Sequence, residues 1–322
     1  MLILSEDEIR ELVNPAKASE VVREAFRALH RGEATLPAVI SLPFQAPEGL
    51  AHIKAGHLHD DDVWTVKVAT DIEPDDGGPT LHNGLMAVIN VADGSLVGLL
   101  LDNGYLTDLR TGAAGGVVTD LLARADATTV AIVGAGKQAR FQLGAALQVR
   151  PIEAVRVTSR LAERVRAFAD EVESRWGLAA QVCASPEEAV RGADIVITTT
   201  PSTTPLVRAE WLENGVHVTA VGSDEPSKQE LDPNVLARAD LIAVDDLAQA
   251  SRSGELHHAL DAGCVEKERV VTVGQLVDRA VQGRTRAEEI TVADLTGVGV
   301  QDAAIAALVV REATTSSVEP PI

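Results

Sequence analysis

Two cysteines, Cys183 and Cys264, are too few in 322 residues for a disulfide framework and fit a reducing compartment. Aromatic side chains are nearly as scarce, with four Phe, three Trp and one Tyr. A core short of rings must pack through Ala, Val and Leu, as helices laid on buried strands do in α/β proteins. Basic charge is also lacking. Twenty-eight Lys and Arg against 48 Asp and Glu leave a formal charge of -20, which argues against nucleic acid as a partner because neutralising phosphates needs a basic surface. No apolar run approaches the roughly 20 residues of a membrane helix. The first stretch, MLILSEDEIREL, turns acidic after four residues, unlike a secretory signal. The expectation is a cytoplasmic globular protein, long enough for two domains.

Ser5 followed by Glu8 has the spacing of a capping box and predicts a helix over SEDEIRELV. A second helix is expected over KASEVVREAFRALHRG, with Val21, Val22, Ala25, Phe26 and Leu29 on one face and Gly32 ending it. Then come the strand-like runs AHIKAGHL, WTVKVAT, GLMAVINV and LVGLLLDNG, separated by Asp, Gly and Pro turns. NVADGSLVG reads as a hairpin, because Asp-Gly tolerates the positive φ of a tight turn. From Thr111 the texture becomes a Gly/Ala-rich helix. After it the strands TVAIVGAG, AVRVTSR, ADIVITTTPS, VHVTAVGS and ADLIAVDD alternate with helical patterns. That alternation predicts a doubly wound parallel sheet. Only the tail TTSSVEPPI reads as loose.

The segment VAIVGAGKQARFQ carries Gly134, Gly136 and Ala139 as G-x-G-x-x-A between a β-branched strand and a helix. Gly134 permits the tight turn, Gly136 lets the backbone approach a pyrophosphate, and Ala139 lets helix and strand pack closely. The phosphates would rest on the helix N-terminus, where free N–H groups and the dipole favour negative charge. Ala135, Lys137 and Gln138 complete this expected cofactor turn. The strand AVRVTSR ends in Thr158, Ser159 and Arg160, where an acidic residue would bind the ribose hydroxyls of NAD. Two hydroxyls and a guanidinium suit a 2′-phosphate instead, so NADP(H) is favoured while NAD(H) stays open. The plainer alternative is that Arg160 is a solvated residue at a helix start.

Several segments together resemble the ornithine cyclodeaminase/μ-crystallin family, which includes archaeal-type alanine dehydrogenases and imine reductases. They are WTVKVAT, DNGYLTDLRTGAAGG, IVGAGKQARFQ, TTTPSTTPLVRAEWLENGVHVTAVGSDEPSKQELD and DLTGVGVQD, in the family's order. The resemblance implies a Rossmann-type doubly wound sheet over 114–299. It also implies a discontinuous α+β domain, 1–113 with 300–322, that holds substrate and builds a homodimer. Lys67 and Arg110 match the family's substrate-carboxylate binders, and two cations on one carboxylate would fix the α-carbon before hydride transfer. Asp224 in GSDEP matches a proton-handling acid, so Asp224 and Lys67 are the expected catalytic residues. Thr111, Gly112, Thr199, Thr200, Pro201, Gly222, Ser223, Thr296 and Gly297 match positions near the cofactor.

Each match has a plainer reading. Lys67 could be a solvated strand lysine, Arg110 could pair with Asp108 or Asp102, and Asp224 could be a turn residue before Pro226. Ornithine cyclodeaminases carry an acid in the first strand block, where His52 stands here. With His52, Lys54 and Lys67 expected on adjacent strands, the region favours a substrate with an anionic or small neutral side chain, such as iminosuccinate or pyruvate with ammonia. Three functions follow: a reductase of 2-imino acids, an ornithine cyclodeaminase, or a non-catalytic binding protein. His57 and His59 beside Asp60, Asp61 and Asp62 lie in a loop-like run without a tetrahedral ligand set, so no metal is expected.

Overall fold

A computed structural model of the chain describes residues 1–74 and 80–316. The chain divides into two compact units, Met1–Arg110 with Val298–Ile322, and Thr111–Gly297. Among the described residues, no helix is long and apolar enough to cross a membrane.

The first unit opens with β1 (Leu2–Ser5), α1 (Glu6–Leu12) and α2 (Pro15–Arg31). Strands β2 (Ala34–Thr35), β3 (Ile40–Gln45), β4 (Glu48–Leu58), β5 (Val63–Ile72), β6 (Leu81–Asn90) and β7 (Leu96–Leu101) follow, then α3 (Tyr105–Leu122). The capping box at Ser5 and Glu8 forms, and Gly32 ends α2 in the left-handed region at φ 72°. The sheet runs β1-β7-β6-β5-β4-β2, with β3 antiparallel to β4. The hairpin expected at Asp93-Gly94 joins β6 to β7. Strand β1 pairs in parallel with β7; its four residues lay within the stretch read as leading into a helix.

The second unit contains β8 (Thr129–Val133), α4 (Lys137–Val149), β9 (Ala154–Thr158), α5 (Ala162–Trp176), β10 (Ala180–Val182) and α6 (Pro186–Val190). It continues with β11 (Ile195–Thr198), β12 (Thr203–Val207), β13 (His217–Ala220), β14 (Gln229–Leu231), α7 (Pro233–Arg238) and β15 (Leu241–Val244). Helices α8 (Leu247–Ala250) and α9 (Gly254–Asp261), strand β16 (Val270–Thr272), α10 (Val273–Val277) and β17 (Thr291–Asp294) close it, and α11 (Gly299–Ser316) returns to the first unit. Eight parallel strands run β10-β9-β8-β11-β13-β17-β15-β16, the doubly wound Rossmann-type sheet. Alternation splits its side chains between two cores: Val130 and Ile132 join Val155, Val157 and Phe168, while Ala131 and Val133 join Val196, Val218 and Ile242. Strand β17 sits between β13 and β15; TVAD is too short to announce itself beside the loop-like residues that follow it. Of the tail, residues 314–316 end α11, and 317–322 lie outside the described residues.

Close backbone contact fixes the start of α11. A Cβ on Gly299 would lie 2.1 Å from the Ala55 carbonyl oxygen, and one on Gly56 would lie 2.5 Å from that of Gly299. Neither position admits a side chain, so α11 begins directly on β4, with Gln301 and Asp302 in its first turn.

Candidate active site

In the first unit the antiparallel register sets Lys54 of β4 directly opposite Lys67 of β5. Both are buried, at 8% and 2% exposure, as is Arg110 of α3 at 4%. Three cations in one dry region need a counter-charge, and α11 supplies it. Asp302 Oδ1 accepts from Arg110 Nε at 2.9 Å and from Lys67 Nζ at 3.0 Å, and its Oδ2 lies 2.9 Å from Lys67 Nζ. Gln301 Oε1 accepts from Arg110 Nη1 at 2.8 Å. Arg110 therefore pairs with Asp302 and Gln301, in place of the Asp108 or Asp102 pairing that its neighbours in the chain suggested. Lys67 is buried, not the solvated strand lysine of the plainer reading.

Burial pushes the Lys67 ammonium down to about 7; the attraction of Asp302 opposes this, while Arg110 and Lys54 add to it. Burial alone would raise Asp302, but Arg110 and Lys67 outweigh it and hold this carboxyl below the usual range. Asp102, buried in the same unit, accepts from the Leu106 amide at 2.8 Å and tethers the start of α3; burial raises it despite that bond. His52 is half-buried, with Nδ1 3.3 Å from Ser41 Oγ on β3. His57 Nε2 lies 3.1 Å from the Asp61 carbonyl and His59 Nε2 lies 3.1 Å from Thr35 Oγ1. Among the described residues, no group of three or more His, Cys, Asp or Glu could hold a metal ion.

In the second unit, β8 ends at Val133 and α4 starts at Lys137. Gly134 adopts φ 116°, and a Cβ there would fall 2.6 Å from Thr199 Oγ1. Gly136 caps α4 without a side-chain hydrogen bond, and nothing lies within 4 Å of where its Cβ would be. Ala139 is fully buried, Gln138 is half-buried, and Lys137 is exposed. Thr199 Oγ1 is buried with no hydrogen-bond partner among the described residues. An uncapped helix N-terminus, free space beside Gly136 and an orphaned hydroxyl fit the pyrophosphate of a dinucleotide. Arg140, which the sequence reading passed over, holds this turn: its Nη1 donates to the carbonyls of Ala135 at 3.1 Å and Gly136 at 2.9 Å, while Glu171 grips Nε. Its signal was only its place four residues beyond Gly136, on the inner turn of α4.

The remaining expected cofactor residues are distributed as follows. The Thr158 carbonyl accepts from the Gly134 amide at 2.9 Å, Ser159 is half-buried and Arg160 is exposed. Gly112 lies against Phe141, where a Cβ would be 2.7 Å from Phe141 Cβ, and the Thr111 carbonyl accepts from Gln142 Nε2 at 2.9 Å. These two positions let α3 pack on α4. Thr199, Thr200 and Pro201 follow β11, and Gly222, Ser223 and Asp224 follow β13, its neighbour in the sheet. Asp224 is exposed and accepts from Lys228 Nζ at 2.8 Å. Thr296 and Gly297 are held by Asp245, at 2.9 and 2.5 Å. His217, in the middle of β13, lies between Thr291 Oγ1 at 3.0 Å and Thr219 Oγ1 at 2.9 Å. Burial drives it down to about 3, so it is a neutral core residue.

The family described as "Ornithine cyclodeaminase/mu-crystallin family" matches residues 1–317. An archaeal alanine dehydrogenase, solved as a dimer with bound NAD, is 36% identical with a TM-score of 0.91, covering 100% of this chain and 98% of its own. The Δ(1)-pyrroline-2-carboxylate reductase of Thermococcus litoralis, solved with NADH and L-proline, is 27% identical with a TM-score of 0.93, covering 100% of both chains. The iminosuccinate reductase of Paracoccus denitrificans, solved with NAD⁺, is 30% identical with a TM-score of 0.88, covering 99% of this chain and 98% of its own.

Proposed function

The chain belongs to the ornithine cyclodeaminase/mu-crystallin family, and on that premise we propose that it is an NAD(P)H-dependent reductase of small 2-imino acids, equally an amino-acid dehydrogenase in reverse. The observation that carries this reading is the buried arrangement in which Lys67 and Arg110 converge on one carboxylate with Lys54 alongside. Lys67 and Arg110 share the single carboxylate of Asp302, an arrangement that favours a further anion such as a substrate carboxylate. Lys67 and Arg110 would hold the α-carboxylate, which fixes the imine carbon for hydride attack. A reduced nicotinamide, when bound, supplies the hydride. Gly134, Gly136 and the N-terminus of α4 would carry its pyrophosphate. Asp224, held as a carboxylate by Lys228, would orient the imine nitrogen and relay to it a proton taken up from solvent. Thr158, Ser159 and Arg160 favour a 2′-phosphate and hence NADP(H).

No acid stands at His52 to receive a distal ammonium, which disfavours ornithine as substrate. The test is a panel of 2-oxo acids with ammonium, oxaloacetate and pyruvate first, each with NADH and with NADPH, and ornithine alone with NAD⁺ and with NADP⁺. Stoichiometric nucleotide oxidation with a 2-oxo acid, faster with NADPH, is the expected result. Ammonia release from ornithine with no net change in nucleotide absorbance would replace this reading with cyclodeamination. Equal rates with both nucleotides would remove the 2′-phosphate assignment.

A homodimer is part of the same proposal. Ile40, Leu42 and Phe44 alternate along β3 and remain 60%, 50% and 37% exposed, an apolar strand face suited to a second copy. Light scattering should return twice the chain mass; a single-chain mass would sink the dimer.

A further inference from the structure

Four buried carboxylates gather in the second unit, around the carboxyl edge of the eight-stranded sheet: Glu230, Asp245, Glu255 and Asp294, each at most 2% exposed. Three of them bind short stretches of neighbouring backbone. Asp245 holds the Thr296–Gly297 turn, Asp294 Oδ2 accepts from the Leu256 amide at 2.8 Å, and Glu255 accepts from the amides of Glu230 at 2.8 Å and Leu231 at 2.9 Å. Glu230 differs, because its donors come from two separate strand ends. One oxygen accepts from Thr198 Oγ1 at 2.7 Å and the Gly222 amide at 2.8 Å. The other accepts from the Thr200 amide at 2.5 Å and Thr200 Oγ1 at 2.8 Å. Strands β11 and β13 are parallel neighbours, so their ends open side by side with this carboxylate between them. Gly222 leaves it room: a Cβ there would lie 2.1 Å from the Thr200 carbonyl oxygen and 2.7 Å from Glu230 Cδ.

We propose that Glu230 is a positioning residue for dinucleotide binding, pinning the ends of β11 and β13 so that the backbone of Thr199, Thr200 and Gly222 is rigid where open parallel sheets bind their ligands. This rests on the dinucleotide reading above. A carboxylate accepts all four bonds and donates none. A glutamine must turn its NH₂ toward either the Gly222 or the Thr200 amide, leaving one buried N–H facing another donor and releasing that strand end. Burial raises Glu230 to about 7, against the pull of the Thr198 and Thr200 bonds. Glu255, which feels Asp294 and Glu230, is raised well above the usual range, and Asp294, which feels Asp245 and Glu230, to about 7, in both cases with burial as the main cause. When Glu230 takes up a proton, a threonine hydroxyl can rotate to accept it, but one acceptor site is lost and the clamp loosens.

The test is titration with NADH and with NADPH by fluorescence of the wild type, Glu230→Gln and Thr200→Val from pH 6 to pH 8, with thermal midpoints of the same ligand-free samples. The expected result is NADH binding weakened about tenfold in Glu230→Gln and about threefold in Thr200→Val at pH 8. The wild type should lose affinity toward pH 6, while Glu230→Gln should not. Its thermal midpoint should stay within a few degrees, because the substitution removes a buried charge along with an acceptor. Wild-type NADH affinity in Glu230→Gln, or the same pH slope as the wild type, overturns the positioning role. If Glu230→Gln does not fold, unchanged affinity in Thr200→Val overturns it instead. A wild-type chain that fails to bind NADH or NADPH sinks the dinucleotide reading itself, a result distinct from binding that the substitutions leave untouched.

Discussion

Asp302→Asn should lower the unfolding free energy by about 3–5 kcal/mol, the usual cost of stripping one partner from a buried ion pair. Asp302 is the shared acceptor of Lys67 and Arg110, all three are nearly inaccessible, and its loss leaves two cations facing each other in a dry site. The pH dependence carries a sign that checks the cause. Lys67 titrates at about 7 in the folded chain, far below the ordinary value of 10.5. Between those values the unfolded state binds more protons, so the group's contribution to stability rises with pH. Below pH 7 the folded chain must carry Lys67 charged and the full penalty applies. The deficit of Asp302→Asn should therefore be larger at pH 6 than at pH 9, where Lys67 is neutral and Arg110 alone is left unpaired. Urea unfolding at the two pH values measures this. A variant as stable as the wild type at pH 6 would mean that water already screens these cations and would overturn the role of Asp302 as their counter-charge.

Arg110→Met should lower kcat/KM for the 2-imino or 2-oxo acid by roughly 30-fold to several thousand-fold, the kinetic equivalent of losing about 2–5 kcal/mol of a buried, hydrogen-bonded charge contact. The guanidinium is the fork-shaped group of the site, with Nε on Asp302 and Nη1 on Gln301, and a carboxylate held by a fork is oriented as well as attracted. Arg110→Lys keeps the charge and loses the fork, so it should fall between the two. NADH affinity should be unchanged in both variants, measured by the same fluorescence titration. Near-wild-type kcat/KM in Arg110→Met would assign Arg110 to packing around Asp302 and leave Lys67 as the carboxylate binder.

The two residues at the centre of these predictions differ in how visible they were. Arg110 stands in a motif, DLRTG, whose resemblance to known relatives marked it. Asp302 stands in DLTGVGVQD, whose resemblance marked only Thr296 and Gly297, and nothing in that stretch announces a carboxylate bound to a strand 235 positions away. Gly299 and Gly56 make that contact by letting helix and strand backbones touch, and glycine spacing within one segment does not say which other segment it will meet. Glu230 was hidden for the same reason: in DEPSKQELD the resemblance marked only Asp224, yet the last glutamate of that stretch turns inward to the ends of two strands.

Periodicity and local chemistry were enough for the doubly wound parallel sheet, the capped first helices, the Asp93-Gly94 hairpin and the glycine turn before α4. Each depends on residues a few positions apart, and the chain carries those relations along its own length. The convergence of Lys54, Lys67, Arg110 and Asp302, the insertion of β17 between β13 and β15, and the clamp of Glu230 on two strand ends were decided only by tertiary packing. Their partners are remote in sequence, and what selects them is the cost of leaving a buried charge or amide alone, which exists only once the chain has closed around it.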